Sequence, residues 1–303
     1  MDKLLTIFTP TYNRKDKLIR LYNSLCNQTN KGFKWLIIDD GSTDGTKELI
    51  DLFIEESNIL IEYYFQNNSG KMKAHNKAVK ICDTPLFLCV DSDDYLIKNA
   101  VDIILKVMSK KRMDDKKIIG MLAYKTSERE MLVEDKIIGV ETLNQLTLQE
   151  LYKNKYSGET TLVFKTEVIK KYQFVIYEGE KFIQEKTVYD LLDKVGKYIF
   201  LPENLTIFEY QKDGYTNNIR NIMVNNPKGA FRYFNEAIKS EQSKLRNFKN
   251  IVNAVAYGFL ANYKWKSIFK EYRLYKAILS PIAFYIYLKR KKLRNQQNIL
   301  DII

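Results

Sequence analysis

Four short stretches decide the fold: LLTIFTPTYNR at 4–14, WLIIDDGSTDGT at 35–46, IEYYFQNNSGK at 61–71 and LFLCVDSDDYL at 86–96. Each is an apolar run of strand length that ends in turn-forming or charged residues. Between them, DKLIRLYNSLCNQ at 16–28, TKELIDLFIEE at 46–56 and KAHNKAVKIC at 73–82 carry apolar residues at helical spacing. Strand and helix alternating at this period predict an α/β fold with a doubly wound, mostly parallel sheet. In such sheets a ligand sits beyond the carboxyl ends of the strands. PTYNR, DDGSTDGT, NNSGK and DSDD are therefore the segments in which to look for chemistry.

Outward from this core the pattern loosens. IIGMLAY at 118–124, TTLVF at 160–164 and YIFLPENLTIFEY at 198–210 read as strands. VDIILKVMSK, LTLQELYK and FIQEKTVYDLLDK read as helices between them, and from 228 onward the chain reads as helical. This suggests three parts, 1–96, 97–226 and 227–303, with Pro227 opening the last. The 303 residues carry a net charge of +12, but residues 1–227 hold 33 basic and 33 acidic side chains. The whole excess lies in the final quarter and points to an anionic surface as partner.

Three cysteines without a CxxC pair exclude a disulfide scaffold and a cysteine zinc site, and they suit a reducing compartment. A single histidine excludes a multi-histidine metal centre. The opening MDKLLTIFTPTYN has too short an apolar run for a signal peptide, and AILSPIAFYIYL at 277–288 is too short to span a bilayer. The expectation is a cytoplasmic protein, peripheral on the inner face of the plasma membrane. YKAILSPIAFYIYLKRKKLR at 275–294 joins an apolar segment to Lys289, Arg290, Lys291, Lys292 and Arg294, with Pro281 expected to kink or restart the helix. It either lies on an anionic bilayer or packs Ile282, Phe284, Tyr285 and Leu288 back on the catalytic lobes.

Two acidic clusters follow apolar strands. Asp39 and Asp40 end LIIDD, and Gly41 and Gly45 permit tight turns after them. Asp91, Asp93 and Asp94 fall within four residues after LFLCV. Carboxylates this close raise one another's pKa unless a cation joins them, and Mg2+ or Mn2+ is the natural one.

TIFTPTYNR at 6–14, IIDDGSTDGT at 37–46, NNSGKMKAHNKA at 67–78 and LCVDSDDYL at 88–96 together resemble the family 2 glycosyltransferases. These are inverting enzymes of the GT-A fold that use nucleotide-diphosphate sugars. The resemblance is close over 4–96 and continues more weakly through GEKFIQE at 179–185 and IFEYQKDGYTNN at 207–218. It implies a GT-A nucleotide-binding sheet with an acceptor-side lobe. Pro10, Thr11 and Tyr12 would line the base and ribose, and Asp40 would accept from the uracil N–H. Asn68 and Lys71 would contact the nucleotide, Asp91 the ribose hydroxyls, with Ser92 beside them. Asp93 would bind the metal that bridges the diphosphate, and Asp94 would serve the metal shell or the sugar. His75 stands where many relatives carry Arg, so its imidazole would make a weaker diphosphate contact.

The implied reaction is a single displacement in which a carboxylate removes the proton of an acceptor hydroxyl. The family places that base at the start of a second-lobe helix, often as the Asp of Glu-Asp. Here Glu185 is followed by Lys186, so Glu185 is the candidate base, with Glu180 and Asp190 as alternatives. The expected partners are a nucleotide-sugar donor, probed first as a UDP-sugar, and a cell-surface glycan or lipid-linked acceptor. A nucleic-acid-binding protein using the basic tail, or a sugar nucleotidyltransferase, are the competing classes. The neutral first 227 residues speak against the first, and PTYNR in place of a glycine-rich loop against the second.

Overall fold

The protein is described by a computed structural model covering residues 3–128, 143–154, 156, 158–209, 215–240, 243–269 and 276–300. Its contacts divide it into two units, 1–173 with 188–210 and 174–187 with 211–303.

In the first unit the sequence pattern becomes β1 (Leu5–Thr11), α1 (Lys15–Cys26), β2 (Phe33–Asp39), α2 (Thr46–Glu56), β3 (Leu60–Phe65), α3 (Lys71–Ile81) and β4 (Leu86–Cys89). β2 lies between β3 and β1, and β1 between β2 and β4, all parallel. The chain thus winds from β1 toward β3 on one side and then crosses to β4 on the other. That reversal makes the β1/β4 crevice the switch point of the sheet. β1 and β2 are buried throughout, so they read as continuous apolar runs and not as alternating ones. Leu18, Leu21 and Leu25 of α1 and Ile50 and Phe53 of α2 close the core over them.

The sheet continues beyond β4 through β5 (Tyr95–Leu96), α4 (Ala100–Val107), α5 (Lys110–Asp114), β6 (Ile118–Ser127), β7 (Gln145–Leu146), α6 (Leu148–Lys153), β8 (Glu159–Lys165), α7 (Thr166–Ile169), α8 (Lys186–Leu192) and β9 (Lys197–Phe208). β8 pairs antiparallel with β4 and with β6, and β6 runs parallel to β9. One sheet therefore carries both sides of residue 96. Between Ala123 and Tyr124 the register on β9 jumps from Leu201 to Asn204, a bulge that accommodates Pro202 inside a strand. Where β6 crosses β8, a Cβ on Gly120 would meet the Val163 carbonyl at 2.0 Å, so only glycine allows that approach. The helix expected over 182–194 forms only from Lys186, as α8.

The second unit is helical: α9 (Tyr215–Asn225), α10 (Pro227–Ser240), α11 (Lys244–Leu260), α12 (Trp265–Ile268) and α13 (Lys276–Leu300). It starts before Pro227 because α9 contributes Met223 and Val224 to the same cluster as Ala230, Tyr257 and Leu260. Segment 174–187 joins it through backbone groups. Glu180 accepts from the Lys228 and Gly229 amides at 2.7 and 2.8 Å, and Asn226 accepts from those of Lys181 and Phe182. The helix α13 runs through Pro281 without restarting there. Only the bond that Pro281 would give one turn back is lost, while Ala283 and Ile286 pack with Val252, Val255 and Ile268 in one cluster. Ile282, Phe284, Tyr285 and Leu288, expected inside under the packing alternative, are 45–66% exposed. Of the five tail cations, Arg290 turns inward, its guanidinium 4.0 Å from the Tyr257 ring centre and bonded to Asn253.

Candidate donor-binding site

The loops after β1, β2 and β4 are built by their own polar side chains. Asn13 adopts φ 50° and accepts from the Thr43 amide, while its own amide donates to Ser42 Oγ at 2.9 Å. Asp44 accepts from the Lys15 and Thr46 amides, which fixes the start of α1 against the start of α2. Asp39, the last residue of β2, accepts from the Ser42 amide at 2.7 Å and the Tyr63 hydroxyl at 2.9 Å. Gly41, at φ 92°, would place a Cβ 2.9 Å from the Asn68 nitrogen, so the two loops can approach only with glycine there.

Asp40 is buried and fully engaged with the turn before α3. One oxygen accepts from Gln66 Nε2 and the Ser69 amide at 2.7 and 2.8 Å, the other from the Gly70 amide at 2.7 Å. A carboxylate has about four acceptor positions, so one is left for a base. Pro10 lies in the buried β1, and Tyr12 projects at its end, 48% exposed. Thr11 Oγ1 is buried and finds no hydrogen-bond partner among the described residues. A buried hydroxyl without a partner costs free energy that a bound polar ligand can recover.

The DSDD turn after β4 carries the charges. Asp94 donates its amide to the Asp91 carbonyl at 3.0 Å. Ser92 is buried within this turn. Lys71, the first residue of α3, places Nζ 2.7 and 2.8 Å from the two Asp91 oxygens. Burial pushes Asp91 up, but Lys71 and then Lys125 outweigh it and hold the carboxyl below its usual range. Lys125 of β6 sits 2.6 Å from Asp94 and 3.0 Å from Glu159. Burial raises Asp94 although Lys125 opposes it, while Lys125 is held charged by Asp94, Asp91 and Glu159. Lys71 and Lys125 thus place cations beside Asp91 and Asp94, but only Asp91 is held below its usual range. No group of three or more His, Cys, Asp or Glu side chains with metal-site geometry occurs among the described residues.

Asp93 is different. Burial raises its pKa first and the Asp91 charge second, with Arg14 and Lys125 opposing more weakly. A carboxylate disfavoured in this way is one that a cation stabilises. Mg2+ and Mn2+ commonly take one or two carboxylates and complete their shell with diphosphate oxygens and water. Asp93 in the turn after β4 fits such an ion arriving with its donor.

The single histidine lies behind this pair. His75 is buried, edge-on to Phe8 at 5.9 Å and to Phe87 at 5.4 Å. Burial, with the Lys71 charge, pushes its pKa down to about 3 against the weaker pull of Asp91. The imidazole is therefore neutral at physiological pH, set in apolar packing under the site. An unfolded chain binds a proton here below about pH 6.5 and the folded chain does not, so stability falls as pH drops through 6.5. Because the chain has one histidine, comparison with His75→Leu isolates the effect. Urea midpoints between pH 7 and 5 should show the parent losing about 2 kcal/mol relative to the variant. Parallel pH profiles for the two proteins would contradict a neutral buried His75.

The site contains groups that no motif announced. Lys125 and Glu159 come from strands beyond β4, and Arg20 of α1 holds the DSDD turn by donating to the Asp93 carbonyl at 3.0 Å. Arg20 also pairs with Glu128 and Glu209 and lies 4.6 Å over the Tyr95 ring. The signal for Lys125 was a lysine following the apolar IIGMLAY. The candidate base Glu185 belongs to the second unit, half-buried, just before α8. Of its alternatives, Glu180 is occupied at the start of α10, and Asp190 is buried with Gln149 Nε2 at 3.3 Å.

Residues 6–131 match the profile described as Glycosyl transferase family 2, a segment that holds Thr11, Asp40, Lys71, Asp91, Asp93 and Lys125. Glycosyltransferase GlyG of Streptococcus pneumoniae is 24% identical over 217 residues, 69% of this chain and 71% of its own. TarS of Staphylococcus aureus, a poly(ribitol-phosphate) β-N-acetylglucosaminyltransferase, is 32% identical over 98 residues, 32% of this chain but 17% of its own. The crystal structure of TarS 1–349 in complex with UDP-GlcNAc corresponds over 96% of this chain and 81% of that one, with a TM-score of 0.56 at 16% identity. A mannosyltransferase of Pyrobaculum calidifontis in complex with GDP-Man and Mn2+ corresponds over 98% and 85%, with a TM-score of 0.53 at 16% identity. The fold is that of the GT-A glycosyltransferases. The similarity to glycosyl transferase family 2 lies in residues 6–131.

Proposed function

We propose that the protein moves a sugar from a UDP-sugar to a hydroxyl of a cell-surface glycan or lipid-linked acceptor, with inversion by single displacement. The observation that carries this reading is the switch-point cluster: Thr11 with a buried hydroxyl that has no partner among the described residues, Asp91 clamped by Lys71, and Asp93 held above its usual range by burial and by Asp91. The UDP-GlcNAc complex of TarS, on the same fold, supports a uridine donor.

In this reading Pro10, Thr11 and Tyr12 line the base and ribose, and the remaining acceptor position of Asp40 takes the uracil N–H. Asn68 stands beside that turn. Asp91 accepts from the ribose hydroxyls, with Ser92 shaping the turn. Lys71 then shares its charge between Asp91 and the diphosphate. His75 supports these groups from beneath as a neutral packing element. Asp93 would hold Mg2+ or Mn2+, which when bound neutralises the charge that develops on the leaving diphosphate. Glu185 removes the acceptor proton. The charge asymmetry of the chain supports work at the inner membrane face, and no helix among the described residues is long and apolar enough to cross a membrane.

A panel of nucleotide-sugars with Mn2+, scored for slow hydrolysis and for thermal stabilisation, tests the donor. One uridine donor should raise the melting temperature only with the metal present. A panel in which no nucleotide-sugar stabilises or is hydrolysed would sink the reading.

A further inference from the structure

The outward face of α13 and the α11–α12 turn carry side chains that the second unit does not use for its own packing. On α13, Ala283, Ile286, Tyr287, Arg290 and Leu293 point toward α10 and α11. On the opposite side Tyr285 is 66% and Leu288 49% exposed, with Pro281 and Lys292 on the same line and Lys289 and Lys291 flanking it. The face is therefore apolar in its first two turns and basic in the next. Beside it, Lys264, Trp265 and Lys266 form an exposed turn, with Trp265 49% exposed. The turn and the helix belong to one surface: Trp265 packs 5.3 Å from Phe259, and Phe259 in turn meets the half-exposed Phe284 of α13 at 6.3 Å.

Charge decides what this surface fits. Residues 243–300 hold 13 lysines and arginines and a single acid, Glu271. Lys264, Lys266, Lys289, Lys291 and Lys292 are exposed, and among the described residues none of them pairs with an acid. Aliphatic Leu288 and Ile282 offer nothing for nucleobase stacking, whereas Trp and Tyr ringed by lysines match the boundary between headgroups and acyl chains. Lysine stems can lie along that boundary with their ammonium groups at the phosphates.

We infer that this face, built from α13 residues 281–292 and the Lys264–Lys266 turn, docks the protein on an anionic lipid bilayer. Tyr285, Leu288, Phe284 and Trp265 enter the headgroup layer, and the five lysines pair with lipid phosphates. The inference deepens the membrane part of the proposed function and rests on it, while the donor chemistry is independent of it.

The chain carries its own probe. Of its two tryptophans, Trp35 is fully buried and Trp265 is half exposed. With full-length protein and vesicles of phosphatidylglycerol in phosphatidylcholine at 0.1 M salt, Trp265 emission should shift to the blue and be quenched by brominated acyl chains. Pure phosphatidylcholine should give neither effect, and 1 M salt should reverse both as the Debye length contracts from about 10 to about 3 Å. Replacing Lys289, Lys291 and Lys292 by Gln should lower partitioning by about 10²-fold, from about fivefold per cation. Tyr285→Ser with Leu288→Ser, at positions outside the packed face, should abolish the quenching with circular dichroism unchanged. Nucleotide-sugar hydrolysis by the same samples reports separately on the donor site. Unchanged Trp265 emission with anionic vesicles at low salt overturns the inference. So does a lipid-free dimer in sedimentation that shields Trp265, which would make the face a contact between copies of this chain.

Discussion

Asp93→Asn is expected to remove sugar transfer, lowering kcat by about 10³-fold or more, while leaving the unliganded fold at least as stable as before. The two halves of this expectation have one cause. The folded protein disfavours the charged form of Asp93, through burial and then through Asp91. A neutral amide of the same shape relieves that penalty, so unfolding by urea should occur at an equal or slightly higher midpoint. In the proposed reading the same carboxylate would hold the ion that neutralises the diphosphate, and several kcal/mol of transition-state charge stabilisation would depend on it. Each ~1.4 kcal/mol is a factor of ten in rate. Melting curves should show the parent stabilised by UDP with Mn2+, by mass action, and the variant unmoved. Asp91→Asn provides the contrast. Its carboxylate is paired with Lys71 at 2.7 Å and held below its usual pKa, so losing its charge strands a half-buried lysine and should destabilise the free protein. An Asp93→Asn enzyme with unchanged kcat at saturating donor and metal would falsify the assignment.

The first half of the sheet was legible because β1, β2 and β4 are buried, largely apolar runs that end in turns that cannot be strand. TIFTPTYNR, IIDDGSTDGT and LCVDSDD each mark a carboxyl end, and those ends converge at the β1/β4 crevice. What sequence order could not show was which acids the chain neutralises internally. Lys125 reaches Asp94 and is paired with Glu159, 34 residues further on, through antiparallel pairing of β6 with β8, a non-local register that no local motif encodes. Arg20 was hidden for a similar reason, as an ordinary polar residue on an amphipathic helix. In the tail, helical content was readable from periodicity. The inward turn of Arg290 onto Tyr257 was not, since a basic cluster looks alike on every face until the packing face is known. The second lobe was least legible: FIQE before α8 has helical spacing, but Asn226 and Glu180 tie the preceding backbone down in an irregular conformation.

Glu185→Gln is expected to leave UDP-sugar affinity near normal and to lower kcat by roughly 10²–10⁴-fold, the range for loss of a general base. The substitution keeps size and hydrogen-bonding capacity, so a purely structural Glu185 would tolerate it with little change in rate. The competing acids are separated by what the structure already asks of them. Both Glu180 oxygens receive amides from the first turn of α10. Glu180→Gln should therefore cost stability, about 1 kcal/mol as for a lost helix cap, with kcat per folded molecule unchanged. Asp190 is buried on α8 beside Gln149, and Asp190→Asn should likewise act on folding before rate. Steady-state kinetics with saturating donor, read together with urea midpoints, divide the three. A fully active Glu185→Gln beside an inactive, folded Glu180→Gln moves the base to Glu180. Full activity in both removes the second-lobe alignment on which Glu185 was chosen, and leaves the donor site standing on Asp91, Asp93 and Lys71 alone.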